Sequence, residues 1–343
     1  MTKQPKSKVL ITGITGFIGS HTAIRLLNEG YPVRGTMRNL GRAEEIKAII
    51  HKHAPIDKLE FAKAELTNSE DWDAAMEGIG LVQHIASPLP RTLPKDDQKL
   101  IIPARKGVLN VLRAAEKHGA KRVVLTSSVS AIGYGYPYKK KTYTEADWTD
   151  ASNMRYTNPY VRSKTIAERA GWDFVNSESV KIELTAVNPV AVMGPALEKD
   201  FGTSGLLVKK LMSGKFPGLP RLGFCLVDVR DVAEMNYQAM INPEAAGKRI
   251  ICNSGFMWLT DIAAYLKSAY PTHEKKIPSI RFPDILVRLF SLFDGETRAV
   301  INELGIEKNY DDTLARQLFN WNPRTPQASL SGMADSLIEM GII

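Results

Sequence analysis

Two side chains able to move a proton stand four residues apart in the segment NPYVRSK, residues 158–164. Asn158 suits a helix cap and Pro159 the first helical position, so the segment predicts a helix that carries Tyr160 in its first turn. Lys164 follows four residues later, which places it on the same helix face as Tyr160. Because a neighbouring cation favours tyrosinate, we expect Lys164 to lower the Tyr160 pKa from its reference value of about 10.

Two serines at the end of a predicted strand could form one site with that helix. The run KRVVLTS, residues 121–127, has the composition of a buried strand, and Ser127 and Ser128 stand at its carboxyl end. Doubly wound sheets bind their ligands at the carboxyl ends of the strands. A serine hydroxyl there can hydrogen-bond the same substrate oxygen that Tyr160 would protonate, which predicts a proton-transfer site.

A glycine-rich turn near the amino terminus predicts a site for nucleotide phosphates. The segment TGITGFIG, residues 12–19, follows a strand-like run and opens a helix. Gly13 permits a tight turn, Gly16 lets the backbone approach a pyrophosphate, and Gly19 allows the helix to pack closely on the strand. The free N–H groups at the start of that helix would face the phosphates.

The end of the second strand distinguishes between the two nicotinamide cofactors. The segment RGTMRN, residues 34–39, contains no Asp or Glu, which an NAD-binding chain would typically place on the ribose 2′-hydroxyl. Arg38 would instead bind the 2′-phosphate of NADP through its planar, charged fork. Arg42 is a second candidate for the same phosphate. These residues predict NADP(H) as the cofactor.

Six strand-like runs that alternate with helix-like segments must position these residues. Such alternation is typical of parallel strands joined by crossover helices, so we predict a Rossmann-type, doubly wound α/β sheet. The predicted strands are residues 8–12, 31–37, 59–64, 81–86, 121–127 and 181–189.

The regular alternation ends near residue 190. The segments 193–205 and 213–223 are rich in Gly and Pro and predict loops. The segments 225–241 and 248–255 predict a helix and a strand that return to the sheet. A second, smaller lobe is therefore expected to be interleaved with the first.

The expected domains follow from this pattern. An NADP-binding Rossmann domain would cover residues 1–190, with returning segments at about 226–254. The interleaved C-terminal substrate lobe would comprise residues 191–225 and 255–343. Its apolar pocket would draw on Leu206, Leu207, Leu211, Met212, Phe216 and Phe224.

The composition is that of a soluble globular protein. The 343 residues are 44% apolar and 24% charged, which excludes disordered, collagen-like and disulfide-stapled classes. The 45 Lys and Arg residues exceed the 37 Asp and Glu residues, and the net charge of +8 by itself suggests a polyanionic partner. The basic residues within 91–122 lack the interleaved aromatic residues of a nucleic-acid platform, so we predict a solvated face and no nucleic-acid partner.

Cysteines and apolar runs exclude further classes. Cys225 and Cys252 are too few for a metal cluster, so we expect no metal site and two buried, inert thiols.

No run approaches the roughly 18 to 20 apolar residues of a membrane span, and the first residues lack the apolar core of a secretory signal. We expect a cytoplasmic protein with no membrane partner, either a monomer or a homodimer. His84, in a buried-looking strand, is expected to be a satisfied core histidine.

The chain resembles the extended short-chain dehydrogenase/reductase family. The resemblance is carried by TGITGFIGS, by the serine pair in VVLTSSVSAIGYG and by NPYVRSK. VVLTSS and PYVRSKTIAERAGWDF are most similar to the branch of dihydroflavonol-reductase-like enzymes and aldehyde or ketone reductases. HIASP at 84–88, VNPVAVMGP at 187–195 and LVDVRDVAE at 226–234 also resemble that branch, and the similarity spans about residues 8–340.

The resemblance implies a role for individual residues. Tyr160 would be the acid, Lys164 would bind the nicotinamide ribose and tune Tyr160, and Ser128 rather than Ser127 would position the carbonyl. The cofactor-binding residues would be Thr12, Gly13, Gly16, Phe17, Ile18, Gly19, Arg38, Glu65, Leu66, Ala86, Ser87, Tyr160, Lys164, Pro189 and Val192.

Three positions depart from the family pattern. Glu65 follows the third strand where the family commonly has Asp near the adenine, and Glu45 lies near where plant relatives carry a Lys for NADP. Gly133 stands where flavonoid reductases often have a substrate-binding Asn. The last departure argues against a flavonoid substrate.

The resemblance implies NADPH-dependent reduction of an aldehyde or ketone, a small-molecule substrate, to an alcohol, with Tyr160 as the proton donor, or the reverse oxidation. An NAD-dependent nucleotide-sugar epimerase or dehydratase is the alternative on the same fold, and Arg38 in place of an acid disfavours it. A non-catalytic NADP-sensing protein is the alternative of another class. Such proteins commonly lose the Tyr/Lys pair, which this chain keeps as Tyr160 and Lys164.

Overall fold

The computed structural model describes most of the chain. The Arg91 and Lys95 side chains of the predicted basic face lie outside the described part. The described residues are 6–89, 93–94, 96–137, 141–177, 179–199, 201–216, 218–293, 297 and 300–343.

A seven-stranded parallel sheet forms the centre of the molecule, in the strand order β10-β7-β5-β4-β1-β2-β3. The order confirms the predicted Rossmann-type, doubly wound fold, with the predicted strands of the first 190 residues all present. The strands are β1 Val9–Thr12, β2 Val33–Met37, β3 Leu59–Lys63, β4 Leu81–His84, β5 Arg122–Thr126, β6 Thr142–Tyr143, β7 Glu183–Pro189, β8 Ala191–Met193, β9 Gly223–Asp228, β10 Arg249–Cys252, β11 Gly255–Trp258 and β12 Asn309–Tyr310.

Helices cover both faces of this sheet. On one face α1 packs against α7, and on the other α4 packs against α5. The described helices are α1 Phe17–Asn28, α2 Ala43–His51, α3 Asp71–Met76, α4 Gln98–Lys117, α5 Pro159–Val175, α6 Gly202–Met212, α7 Val229–Ile241, α8 Leu259–Ala269, α9 Asp284–Phe290, α10 Thr313–Phe319 and α11 Pro326–Glu339.

The main sheet is held by two apolar cores, one on each face. Leu26 and Met235 belong to the core under α1 and α7, whereas Val108 and Leu112 belong to the core under α4. Strands covered on both faces are buried throughout, and β1 is an example because all four of its residues are inaccessible to solvent. The sheet is therefore a rigid platform for residues at its edge.

The strand order changes direction beside β1, which pairs with β2 on one side and with β4 on the other. The register places Thr12, the last residue of β1, opposite Thr36 and His84. Ligands of doubly wound sheets bind outside the carboxyl ends of the strands at such a point. The fold thus opens a crevice at the end of β1.

A second lobe is built on the small sheet β11-β9-β8 with α6, α8 and α11 around it. As predicted, the chain returns to the main sheet through a helix and a strand, α7 and β10, and β10 pairs with β7 at the sheet edge. The prediction of a helix over 225–241 was wrong at its start, because Gly223–Asp228 form strand β9 of the small sheet and α7 begins at Val229. The prediction of a loop over 193–205 was wrong at its end, because α6 begins at Gly202. Leu211 and Met212 are fully buried in the core of this lobe and do not line an open pocket.

Some further predictions can be compared directly with the structure. Cys225 and Cys252 are free and buried, as expected. Within the described residues, no group of three or more His, Cys, Asp or Glu side chains is placed to hold a metal ion, and no helix is long and apolar enough to cross a membrane.

Candidate active site

The glycine-rich turn after β1 is fixed by close contacts that only glycine allows. Gly13 has a φ of +70°, and a Cβ atom at Gly19 would lie 2.1 Å from the carbonyl oxygen of Gly13. The Thr12 hydroxyl accepts hydrogen bonds from the N–H groups of Ile85 and Ala86, both at 3.0 Å. These bonds hold the segment after β4 against the turn.

The amino terminus of α1 is left open for an anion. Gly16 is its N-cap and brings no side-chain hydrogen bond, and the first turn of α1 contains no acidic residue. A Cβ atom at Gly16 would contact only the Gly13 carbonyl, at 3.4 Å. Because the first N–H groups of a helix have no acceptor within it, those of Phe17 and Ile18 are available to a pyrophosphate. The turn fits the phosphates of a dinucleotide.

The two arginines after β2 are in different states. Arg38 is exposed and has no hydrogen-bond or ion-pair partner among the residues that the structure describes. Arg42 is bound by two carboxylates, with its Nη2 2.9 Å from Glu45 Oε1 and 2.7 Å from Glu198 Oε2. These two partners raise the pKa of Arg42 further above its ordinary value. Arg38 is thus the open cation at this end of the crevice.

The predicted helix with the Tyr and Lys pair begins as expected. The Asn158 side chain accepts a hydrogen bond from the Val161 N–H at 2.9 Å, and Pro159 occupies the first helical position of α5. Lys164 is 9% exposed, and its Nζ donates to the Thr126 carbonyl oxygen at 3.5 Å. The cap therefore sets the start of α5 so that its inner face meets the end of β5.

Ser128 and Tyr160 meet beside that contact. The Ser128 hydroxyl lies next to Tyr160 and donates to the Ser130 hydroxyl at 3.1 Å. It also caps the short 3-10 turn that follows, accepting from the Ser130 N–H at 3.1 Å. The Ser127 hydroxyl points elsewhere and donates to Glu168 Oε2 at 2.5 Å. The structure thus brings Ser128, Tyr160 and Lys164 together and separates Ser127 from them.

The pKa values of this group are set mainly by burial. Burial raises the pKa of Tyr160 above its usual value, and the neighbouring Ser128 hydroxyl opposes this shift. This direction differs from the expected lowering by Lys164, because loss of hydration of the phenolate is the larger effect. Burial also lowers the pKa of Lys164 to about 8, while the charge of Glu168 raises it. Tyr160 is therefore protonated at neutral pH.

Glu168 is a residue that the sequence reasoning missed. Its carboxylate accepts from the Asn188 side chain at 2.8 Å and forms an ion pair with Arg249 at 2.6 Å. Asn188 also donates to the Ser128 carbonyl oxygen at 3.1 Å. The signal was present in the sequence, because Glu168 follows Lys164 by four residues and so continues the face that carries Tyr160.

Ala86 and Ser87 line a small cavity between the strand ends and the helices α4 and α5. Thr126 and Lys164 line the same cavity, so these predicted residues share one space. His84 lies behind it and is satisfied by the Thr12 hydroxyl at 2.9 Å. Its pKa is lowered by burial to about 3, which agrees with the expected core histidine.

The remaining predicted cofactor residues lie at other strand ends. Glu65 and Leu66 follow β3 at the outer edge of the sheet, where the Leu66 carbonyl accepts from the Asn110 side chain at 2.9 Å. Pro189 is the last residue of β7, and Val192 lies in β8 of the small sheet. The prediction that these four residues contact a cofactor stays a prediction.

Tyr310 fills the space beside Gly133. A Cβ atom at Gly133 would lie 2.8 Å from the Tyr310 hydroxyl oxygen, so a larger residue would displace that ring. Tyr310 comes from β12, which pairs with β6. Sequence reasoning could not find this contact because the two residues are far apart along the chain.

Comparisons with known proteins agree with this geometry. Residues 9–255 match the model of the NAD dependent epimerase/dehydratase family. The chain is 33% identical over 323 residues to tetraketide alpha-pyrone reductase 1 of Arabidopsis thaliana, covering 91% of this chain and 95% of that protein. It is also 33% identical over 291 residues to the NADPH-dependent methylglyoxal reductase GRE2 of Saccharomyces cerevisiae, covering 79% of this chain and 84% of the relative.

A solved reductase structure is also similar to this chain. The crystal structure of yeast methylglyoxal/isovaleraldehyde reductase Gre2 complexed with NADPH superposes with a TM-score of 0.80 at 29% identity. The match covers 98% of this chain and all of the yeast chain. The predicted resemblance to extended short-chain dehydrogenases/reductases is confirmed.

Proposed function

The chain belongs to the NAD dependent epimerase/dehydratase family, and from this premise we propose that it is an NADPH-dependent reductase that converts an aldehyde or ketone to an alcohol. The observation that carries the proposal is the meeting of Ser128, Tyr160 and Lys164 at the end of β5. The NADPH-dependent reductase among the relatives and the NADPH complex among the similar structures support the choice of cofactor.

The residues present fit NADP(H). The open amino terminus of α1 would hold the pyrophosphate, and Gly19 keeps that helix close enough to β1 to form the turn. Arg38 would bind the 2′-phosphate, since its guanidinium is exposed and has no partner among the described residues. Ala86, Ser87 and the Lys164 ammonium would line the nicotinamide ribose. When bound, NADPH supplies the hydride that reduces the carbonyl carbon.

Tyr160 supplies the proton. Its raised pKa keeps the hydroxyl protonated at neutral pH, which is the state that a proton donor to the carbonyl oxygen requires. Ser128 holds the same oxygen by a hydrogen bond and orients it toward Tyr160. The Lys164 ammonium stabilises the negative charge that develops on the Tyr160 oxygen as the proton leaves.

Glu168 and the second lobe complete the proposed machinery. Glu168 keeps the charge of Lys164 in place, since its carboxylate opposes the lowering of the Lys164 pKa. The Rossmann half over residues 1–190, with the returning segments, would hold the cofactor, and the lobe around β8, β9 and β11 would cover the carbonyl site. The buried Tyr310 ring occupies the space that a side chain at position 133 would need, so the chain lacks the Asn that flavonoid reductases often have there, and this argues against a flavonoid substrate.

Nucleotide titration followed by a carbonyl panel tests the proposal. We expect the purified protein to bind NADPH at least about tenfold more tightly than NADH, as a charged contact to the extra phosphate predicts. It should then consume NADPH with compact aldehydes or ketones and be slower with a dihydroflavonol. Retention of bound NAD(H) with turnover of a nucleotide sugar would instead support an epimerase. Tight NADPH binding without turnover of any carbonyl would support a sensor.

A further inference from the structure

A short segment of the second lobe lies against the nucleotide-binding half. Residues 195–199, which we call the strap, run from β8 toward α6. On one side the strap is anchored in its own lobe, where the Ala196 N–H donates to the Ser336 hydroxyl in α11 at 2.9 Å. On the other side it contacts helix α1 and the segment after β2. The strap therefore joins the two halves beside the proposed phosphate sites.

One contact of the strap to the nucleotide-binding half involves α1. The Pro195 carbonyl oxygen lies 2.9 Å from His21 Nε2, and since a carbonyl only accepts, this nitrogen carries the proton. Burial lowers the pKa of His21 to about 4, so the imidazole stays neutral at physiological pH. Just beyond the strap, a Cβ atom at Gly202 would lie 3.7 Å from the Phe17 ring, which is van der Waals contact. The strap thus lies close to the start of α1.

The second contact is an ion pair that crosses between the halves. Glu198 Oε2 lies 2.7 Å from Arg42 Nη2. The Glu198 side chain is 17% exposed, whereas the Arg42 side chain is 41% exposed. Glu45 binds the same guanidinium from within the nucleotide-binding half, at 2.8 Å from Nε. Arg42 is therefore neutralised by the strap and by its own helix, four residues after the unpaired Arg38.

We infer that Glu198 competes with the 2′-phosphate of NADP(H) for Arg42, so that the strap determines how strongly the protein prefers NADP(H). The inference rests on the proposed function. A phosphate dianion is a stronger partner for a guanidinium than a carboxylate is, because it carries more negative charge and has three terminal oxygens where a carboxylate has two. Binding of NADP(H) exchanges the Arg42–Glu198 pair for an Arg42–phosphate contact and releases this hold on the strap.

The consequence is specific to one cofactor. NADH carries a neutral hydroxyl where NADPH carries the phosphate, and a hydroxyl does not displace a carboxylate from an arginine. Glu198 thus weakens NADPH binding and leaves NADH binding unchanged. Its conversion to glutamine keeps the size of the side chain and removes the competing charge.

The experiment compares Glu198→Gln with Glu234→Gln in the full chain. Glu234 forms an ion pair with Arg25 between α1 and α7, at 2.5 Å, so its variant makes the same charge change at a different place. Dissociation constants for NADPH and NADH are measured by the nucleotide fluorescence. We expect Glu198→Gln to tighten NADPH binding about fivefold, the upper range for a partly exposed ion pair, and Glu234→Gln to change it less than about twofold.

A double-variant cycle isolates the contact. In an Arg42→Ala background the further change Glu198→Gln should no longer tighten NADPH binding, since the shared arginine is gone. Unchanged or weaker NADPH binding in Glu198→Gln, equal tightening for NADH, or a gain that persists without Arg42 would each overturn the inference. Failure of the unaltered protein to prefer NADPH over NADH would instead contradict the proposed function, so the two failures are distinguishable.

Discussion

Two regions of the molecule depend on charged side chains but differ in their exposure to solvent. We call Tyr160, Lys164 and Glu168 the proton-transfer corner, and Arg38 and Arg42 the phosphate corner. Lys164 is 9% exposed and Glu168 is 1% exposed, whereas the Arg42 side chain is 41% exposed and Arg38 lies at the surface. A buried charge must be paired, because an isolated ion in a low dielectric is very costly. An exposed charge is solvated by water and needs no protein partner before its ligand binds.

This difference assigns different tasks to the two corners. Each oxygen of Glu168 is engaged, one by Ser127 and Asn188 and the other by Arg249, so the position of the carboxylate is fixed before any substrate arrives. Arg38 has no such fixing contact within the described residues. Changes in the buried corner should therefore reduce turnover or stability, and changes in the exposed corner should reduce affinity alone.

The largest effect is expected for Tyr160→Phe. Removing the hydroxyl takes away the proton donor, and turnover should fall by about 10²- to 10⁴-fold. NADPH affinity should stay within about twofold of the unaltered value, because the phosphate contacts are untouched. Steady-state kinetics and a fluorescence titration on the same preparation separate the two effects. Turnover within threefold of the starting enzyme, roughly half a kcal/mol of barrier, would remove Tyr160 from the role of acid.

A large loss of stability is expected for Glu168→Gln. The change leaves the Arg249 guanidinium, 8% exposed, without its carboxylate, and breaking a buried pair in this way costs about 3–5 kcal/mol. Denaturant unfolding measures the change in the free energy of unfolding. The matched variant Glu234→Gln breaks the more exposed pair with Arg25 and should cost less than about 1 kcal/mol.

The double variant Glu168→Gln with Arg249→Met tests the cause of that loss. Removing the unpaired guanidinium as well should recover part of the stability, because no uncompensated charge is left buried. Equal losses for Glu168→Gln and Glu234→Gln would show that the buried corner is no more dependent on pairing than the surface.

For Arg38→Ala the expected effect is confined to cofactor binding. Loss of the charged contact to the 2′-phosphate should weaken NADPH binding by about tenfold, while NADH binding changes by less than about twofold. Arg38→Lys should lie between the two, since a lysine keeps the charge without the planar fork. The dissociation constants should also depend on salt for the starting protein more than for Arg38→Ala. Equal weakening for NADPH and NADH would place the Arg38 side chain away from the phosphate.

Much of the fold was predictable because the necessary signals are local in the sequence. The sequence runs of the six predicted strands, now β1 to β5 and β7, and the cap Asn158 act within a few residues, so they specify strand positions and the start of α5 without knowledge of the tertiary structure. The family resemblance then indicates how these strands and helices are arranged in the fold. The return of β10 to the sheet edge follows the same logic, since its four residues are all buried.

The unpredicted part depends on contacts between distant segments. Arg249 reaches Glu168 from 81 residues away, and Glu198 reaches Arg42 from 156 residues away. The raised pKa of Tyr160 has a similar origin, because it reflects burial by the surrounding fold, whereas the sequence shows only the nearby lysine. Spacing along one helix predicts which side chains share a face but not how much water remains around them.

The smallest expected effect is a shift in the pH dependence of kcat/KM. Burial lowers the pKa of Lys164 to about 8, so kcat/KM for carbonyl reduction should fall as the pH rises through about 8, where an ordinary lysine would stay charged past pH 10. Above that pH the neutral amine no longer stabilises the charge left on Tyr160. Because Glu168 raises the Lys164 pKa, the falling limb should move to lower pH in Glu168→Gln, measured at a temperature where that variant is folded.

The variant Lys164→Arg provides the control for that profile. A guanidinium stays protonated throughout this range, so whatever activity the variant retains should show no falling limb near pH 8. The same limb in Lys164→Arg would assign the titration to another group. If kcat/KM of Glu168→Gln fell at the same pH as in the unaltered protein, Glu168 would pair with Arg249 without affecting the Lys164 pKa. Glu168 would then not belong to the proton-transfer corner.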